Sequence, residues 1–172
     1  MMRNRLYHYV GPDLIRVRAA GTQGGRRFGA LEDLNRWVSD NLSEAIPGGL
    51  IPATYVIDSE GNLRLADRRS EHIACSEGQP VLSAGEMFFA TVVGEAEVAE
   101  VSNLSTGFCP EPESWDTVGA ALDRIGVRHP GRFTSPYLFR RCPQCGGRNL
   151  VKDEVFECLV CGGELPREWN FV

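Results

Sequence analysis

Apolar residues recur along this chain at two periods. Between positions 30 and 42, Leu31, Leu34, Val38 and Leu42 stand three or four residues apart, with Glu32 and Asp33 in the opening turn. That spacing predicts an amphipathic helix whose dipole the two acids favour, and Trp37 widens its apolar face. A second helical run covers about 113–125, where Trp115, Val118, Leu122 and Ile125 share a face and Gly126 follows. Pro110 and Pro112, with Glu111 and Glu113, sit where a helix start tolerates proline and favours negative charge. Elsewhere the pattern is strand-like. Positions 6–10 predict an opening strand closed by Gly11-Pro12, in which His8 is an ordinary strand residue. Positions 53–58 and 63–67 predict a hairpin around Ser59-Glu60-Gly61-Asn62, and 86–93 with 97–102 a second around Gly94-Glu95-Ala96. Positions 133–141 predict a last strand. The fold class is therefore α+β, a mainly antiparallel sheet with two helices.

The remaining C-terminal stretch is read through its cysteines. Cys142-Pro-Gln-Cys145 and Cys158-Leu-Val-Cys161 are separated by twelve residues, and each pair is followed by two glycines. Two Cys-x-x-Cys turns can offer four thiolates to one tetrahedral Zn²⁺, and the spacer is long enough to return the second turn to the first. Positions 149–152 and 155–157 in that spacer predict two short strands and a turn. The expectation is a C-terminal zinc ribbon with one Zn²⁺ held by Cys142, Cys145, Cys158 and Cys161. Four protein thiolates complete its coordination, so the zinc is expected to be structural. Three parts follow: a strand-helix segment at 1–50 packed on the core, a central α+β module at 51–139, and the ribbon at 140–172.

Composition changes this picture little. The 172 residues are 42% hydrophobic and 24% charged, ordinary values for a soluble globular chain. No apolar run approaches the ~20 residues that span a bilayer, and positions 1–10 carry no signal-peptide core. The expectation is a cytoplasmic protein without membrane partners, with Cys75 and Cys109 as free thiols. Lys152 is the only lysine among 18 basic residues, a hint of high-GC bacterial coding. Charge is uneven beneath the net −5: positions 1–30 hold six arginines against Asp13, and 70–123 hold ten acids and no base. From Arg141 onward four basic side chains face five acidic ones. Nucleic-acid-binding ribbons need a basic face, which this balance does not favour.

Two connections carry candidate chemistry. Positions 67–86 join the two hairpins and contain Glu71, His72, Cys75 and Glu86; positions 102–110 bring Ser105, Thr106 and Cys109 to a helix start. Together, over about 52–126, they resemble a module of plant IQ-motif calmodulin-binding proteins and of the C-terminal parts of some bacterial polymorphic toxins. That family reads roughly His-Ser-Ser-Phe-x-x-Gly, then Ala-Gly-acid, a hairpin, Ser-Gly-His-Tyr-x-Pro and a helix. His72, Gly78, Ala84-Gly85-Glu86 and Ser105-Thr106-Gly107-Phe108-Cys109-Pro110 stand at those places. Ile73 and Ala74 replace the two serines and Gly107 the second histidine, so a histidine pair cannot act here. The resemblance implies architecture more than reaction, and the sequence does not support a calmodulin-type partner.

Taken as residues, His72 with Glu71 and Glu86 could form an acid/base site, since a carboxylate can orient and charge an imidazole. A hydrogen-bonded structural histidine is the alternative. Cys109 precedes a helix start, which favours thiolate, but Glu100, Glu111, Glu113 and Asp116 oppose it; a plain buried cysteine is the alternative. A second metal site at His72, Cys75 and Cys109 lacks a fourth ligand. The first functional reading is a central module that binds a protein partner or a small molecule. The second is a transferase or hydrolase using His72, Glu86 and Cys109, with Glu71, Ser105 and Thr106 binding ligand. A nucleic-acid-binding ribbon is a third, and needs Arg140, Arg141, Arg148, Lys152 and Arg167 on one face.

Overall fold

The computed structural model describes residues 4–172, so Arg3 of the N-terminal arginines lies outside the described residues. Five strands form one antiparallel sheet: β1 (Arg26–Phe28), β2 (Ile51–Asp58), β3 (Leu63–Asp67), β4 (Val81–Val92) and β5 (Glu95–Val101), in the order β1-β3-β2-β4-β5. Two predicted helices are present, α2 (Leu31–Asp40) and α4 (Trp115–Ile125). Both pack on one face, where Leu34, Val38, Val118 and Leu122 meet Phe28, Tyr55, Leu65, Met87 and Phe89. Two shorter helices, α1 (Asp13–Ala19) and α3 (His72–Cys75), lie beside the opposite face, where Ile73 and Cys75 pack with Tyr7, Val56, Ala84 and Phe108. A two-stranded sheet, β6 (Leu138–Arg141) with β7 (Arg148–Val151), carries the cysteine turns. Among the described residues, no helix is long and apolar enough to cross a membrane.

The α+β reading holds, with several corrections. β4 starts at Val81, five residues before the predicted edge, because Val81 to Gly85 is buried and shows no alternation to read. β2 is buried at every position, as a central strand covered on both faces must be. Pro52 fits there because the β3 ladder begins only at Ala53, so that side of Pro52 has no partner to serve. The opening strand reduces to one bridge, Tyr7 with Val81. α2 ends at Asp40, and Leu42 falls in a following 3₁₀ turn, 56% exposed. In the predicted last strand only β6 forms. Upstream, Asn103 takes the place of a neighbouring strand, its amide accepting from Tyr137 N at 2.7 Å and donating to Tyr137 O at 2.8 Å. In the cysteine spacer only β7 is a strand, paired with β6; the second half contributes isolated bridges, Lys152 with Val155 and Glu157 with Glu164. α1, α3 and β1 were not predicted, since three to seven residues give too little period to recognise.

Candidate metal centre and ligand cleft

The two cysteine turns adopt one geometry. Cys142 N donates to Gly147 O at 2.8 Å and Gly146 N to Cys142 O at 2.9 Å; Cys158 N and Gly162 N repeat both bonds at 2.8 and 2.9 Å. Gly146 and Gly162 hold φ of 75° and 74°, a left-handed conformation that an L side chain resists. The turns therefore point four thiols inward, all within 4.8 Å of one another. The sulfurs of Cys142 and Cys161 are 3.5 Å apart and those of Cys145 and Cys158 3.6 Å. Tetrahedral metal-thiolate bonds of about 2.3 Å place sulfurs about 3.8 Å apart, so this set can hold a metal ion. Further donors are already aimed at the sulfur of Cys158. Val160 N reaches it at 3.4 Å and the buried Asn149 amide at 3.3 Å, while Asn149 also accepts from Leu159 N. Such donors favour thiolate and orient the ligand. Asn149 had not been singled out in the sequence; only its place in the strand that returns to the second turn hinted at it.

The His72 loop does different work. His72 is partly buried at the start of α3, and its Nε2 lies 2.9 Å from Gly85 O. Burial holds its pKa below the ordinary value, against the pull of that hydrogen bond. Gly85 has no room for a side chain: a Cβ would lie 2.0 Å from Ser102 O. That close approach lets the Tyr55 hydroxyl donate to Ser102 O at 2.8 Å and lets Ser102 Oγ accept from Glu86 N and Leu104 N. The Ala84-Gly85-Glu86 step and His72 thus form one backbone crossing. Glu86 is opposite Thr54 in β4, on the face that carries α3, yet among the described residues no carboxylate is hydrogen-bonded or ion-paired to His72. Glu71 is exposed beside α1, lining a separate cavity with Ile15 and Arg18.

The loop at 102–110 is closed on itself. Ser105 is buried, its Oγ accepting from Phe108 N and its carbonyl from Cys109 N, while Thr106 is exposed. Cys109 packs with Phe139 and Phe171, and burial pushes its thiol up to about 12, where it is no nucleophile near neutral pH. Cys75 is likewise buried and pushed up to about 12. Both stand as free cysteines. No described cavity is lined by His72, Glu86, Ser105, Thr106 or Cys109.

A cleft forms elsewhere, where the C-terminal tail meets the start of α4. It has a volume of about 490 Å³ and is lined by Arg5, Tyr7, Glu111, Asp116, Arg140 and Trp169, among others. Arg140 is buried and donates to Glu111 at 2.7 Å and to Arg167 O at 2.7 Å. Burial pushes the Glu111 carboxyl up, and the Arg140 guanidinium pulls it back. Glu111 N donates to the Tyr7 hydroxyl at 3.2 Å. Arg5 lies 4.5 Å over the Trp169 ring, whose indole N–H donates to Cys109 O. Sequence reasoning missed this cleft, because its residues come from both ends of the chain and from the start of α4.

The ribbon arginines are scattered in role. Arg140 is buried, Arg141 stacks on Phe171, Arg148 donates to Thr106 O, and Arg167 covers Phe156. Set against family models, curated proteins and solved structures, the chain has no match.

Proposed function

We propose that this chain is a binding protein whose C-terminal ribbon folds around one structural Zn²⁺ and whose tail–α4 cleft receives a small polar ligand or a partner's side chain. A closed set of four thiolates suits zinc and leaves no open position for a substrate. The observation that carries the ligand reading is the cleft itself. Its size falls in the range of about 300–1,000 Å³ typical of ligand sites, and its floor is an ion pair between buried Arg140 and partly buried Glu111. A buried pair is weak support for stability, since desolvation offsets most of its attraction, so a binding role is a reason for its place there. His72, Glu86 and Cys109 line none of the described cavities, Glu71 lines a separate one, and the arginines that a nucleic-acid face would need are engaged within the chain.

Two measurements test this. Elemental analysis of protein purified without chelator is expected to give one zinc per chain; two, or another metal, overturns the metal assignment. A polar fragment library followed by amide NMR is expected to shift Glu111, Ser114, Thr117 and the Trp169 indole. Hits that shift His72 to Gly85 or Ser105 to Cys109 instead overturn the cleft and restore the transferase or hydrolase reading.

A further inference from the structure

The two cysteine turns share a backbone but not a tip. The first carries Pro143-Gln144, and the second carries Leu159 and Val160, which are 83% and 76% exposed. Val155 beside them is 58% exposed. A groove of about 520 Å³ runs next to this tip, lined by Leu150, Val155 and Leu159 with Lys152, Asp153 and Glu157. Leu159 N is fixed by Asn149 and Val160 N by the Cys158 sulfur, so these aliphatic groups sit on a rigid turn and lose little backbone freedom on contact. Acids outnumber bases around it: Asp153, Glu154, Glu157 and Glu164 are exposed, against Lys152 and the Arg167 that covers Phe156. Glu157 and Glu164 also lie opposite each other in a bridge, a like-charge pair that a cation would relieve.

The chain carries the complementary surface. α1 buries no residue. Ile15 and Ala19 face the Ile73 cluster, and Leu14 and Val17, three apart on the outer face, are 59% and 67% exposed. Arg18, one turn from Leu14, stands at the edge of that face and also lines the cavity with Glu71, while Arg16 pairs with Asp13. Apolar and basic thus meets apolar and acidic. Within one copy neither surface covers the other, since Leu14, Val17, Leu159 and Val160 are all exposed.

We infer that the Leu159-Val160 knuckle of one copy docks the Leu14-Val17-Arg18 face of α1 on a second copy, giving head-to-tail self-association. The contact is heterologous, so a copy engaged at one surface still offers the other. It is small, and its association is weak and reversible. Because both faces carry opposite charge, added salt weakens it.

The test is complementation by sedimentation on metal-loaded full-length protein, with zinc content measured for every variant. The wild type is expected to associate reversibly at about 0.5 mM, within reach of weak contacts. Leu14→Ser and Leu159→Ser are each expected to weaken association about tenfold, the loss expected for one aliphatic anchor. An equimolar mixture of the two variants retains one intact pair of surfaces and should form a one-to-one complex and nothing larger. Arg18→Glu should act like Leu14→Ser, and mixing it with Glu157→Arg should recover binding. A monomeric wild type, a mixture no stronger than the single variants, or association by Leu14→Ser alone as strong as the wild type's overturns the proposal. The ligand cleft stands or falls separately, since neither variant touches it.

Discussion

The five-stranded sheet and the cysteine ribbon reach an ordered fold by different means. The sheet buries Leu34, Tyr55, Met87, Phe89, Leu122 and their neighbours between strands and two helices, a core that needs no other help. The ribbon's own cluster buries Val151 and Leu165 with Cys142 and Cys158, which are candidate metal ligands, and its Phe139 and Phe171 are buried against the rest of the chain. So little apolar surface cannot offset the entropy of ordering a segment of this length. Cohesion there has to come from the metal and from the seam with the rest of the chain. That seam is polar as well. Arg140 reaches Glu111 and Arg167 O, Asn170 brackets Arg141 with bonds of 2.8 and 2.7 Å, and Trp169 donates to Cys109 O. The contrast teaches that the two parts should fail separately, and that the seam should couple them.

The strongest way to break the comparison is to remove the metal. Cys158→Ser or a chelator is expected to abolish metal binding, worth on the order of 10–16 kcal/mol in isolated zinc peptides, and to collapse the ribbon. Amide NMR should lose dispersion after about position 140, while β2 and β4 keep theirs. Simultaneous loss of both would show a single cooperative unit.

The seam comes next. Arg140→Ala leaves the Glu111 carboxylate buried without its partner and is expected to cost about 3–5 kcal/mol in urea melts. Arg140→Met with Glu111→Gln removes both charges and should recover part of that loss, the rest lying in Arg167 O and Phe139 O, which lose their donor. A double variant as unstable as the single one would place the cost elsewhere.

A smaller effect sharpens the sheet side. His72→Ala removes the partner of Gly85 O and is expected to cost about 1–3 kcal/mol, without changing metal content. Glu86→Gln is expected to stay within about 0.5 kcal/mol, as for substitutions away from paired groups. If Glu86→Gln matched His72→Ala, the two would act together after all.

The smallest effect is in pH. Because burial holds His72 below its ordinary pKa, the unfolded chain binds more protons than the folded one once pH drops under about 6.5. The stability owed to neutral His72 is therefore complete above that value and declines as pH falls toward the folded pKa. Thermal melts from about pH 7 to pH 5 should decline less steeply in His72→Gln, whose amide can still donate to Gly85 O. Equal slopes would remove His72 from the balance.

Much of this was legible in the residues. α2 and α4 follow from their three-and-four spacing, and the first hairpin from the turn residues Ser59-Glu60-Gly61-Asn62 between two apolar runs. The cysteine cluster is local as well, two short turns with their glycines. Where alternation vanished, as in Val81 to Gly85, or where an element was a single turn, as in α3, no period existed to read. The candidate residues around His72 were recognised as a group, but their part in the crossing at Gly85 and Ser102 was not.

By itself the sequence determined the two long helices, the first hairpin and that four thiols converge near the C-terminus. Those outcomes depend on residues close together in the chain, whose geometry local spacing dictates. Only the tertiary structure decided that Glu111 meets Arg140, that Arg5 lies on Trp169, and that His72 supports a carbonyl instead of facing a cleft. Each of those joins residues far apart in sequence, and burial and charge at such a contact depend on everything packed around it. Residue type offers only the capacity for that chemistry.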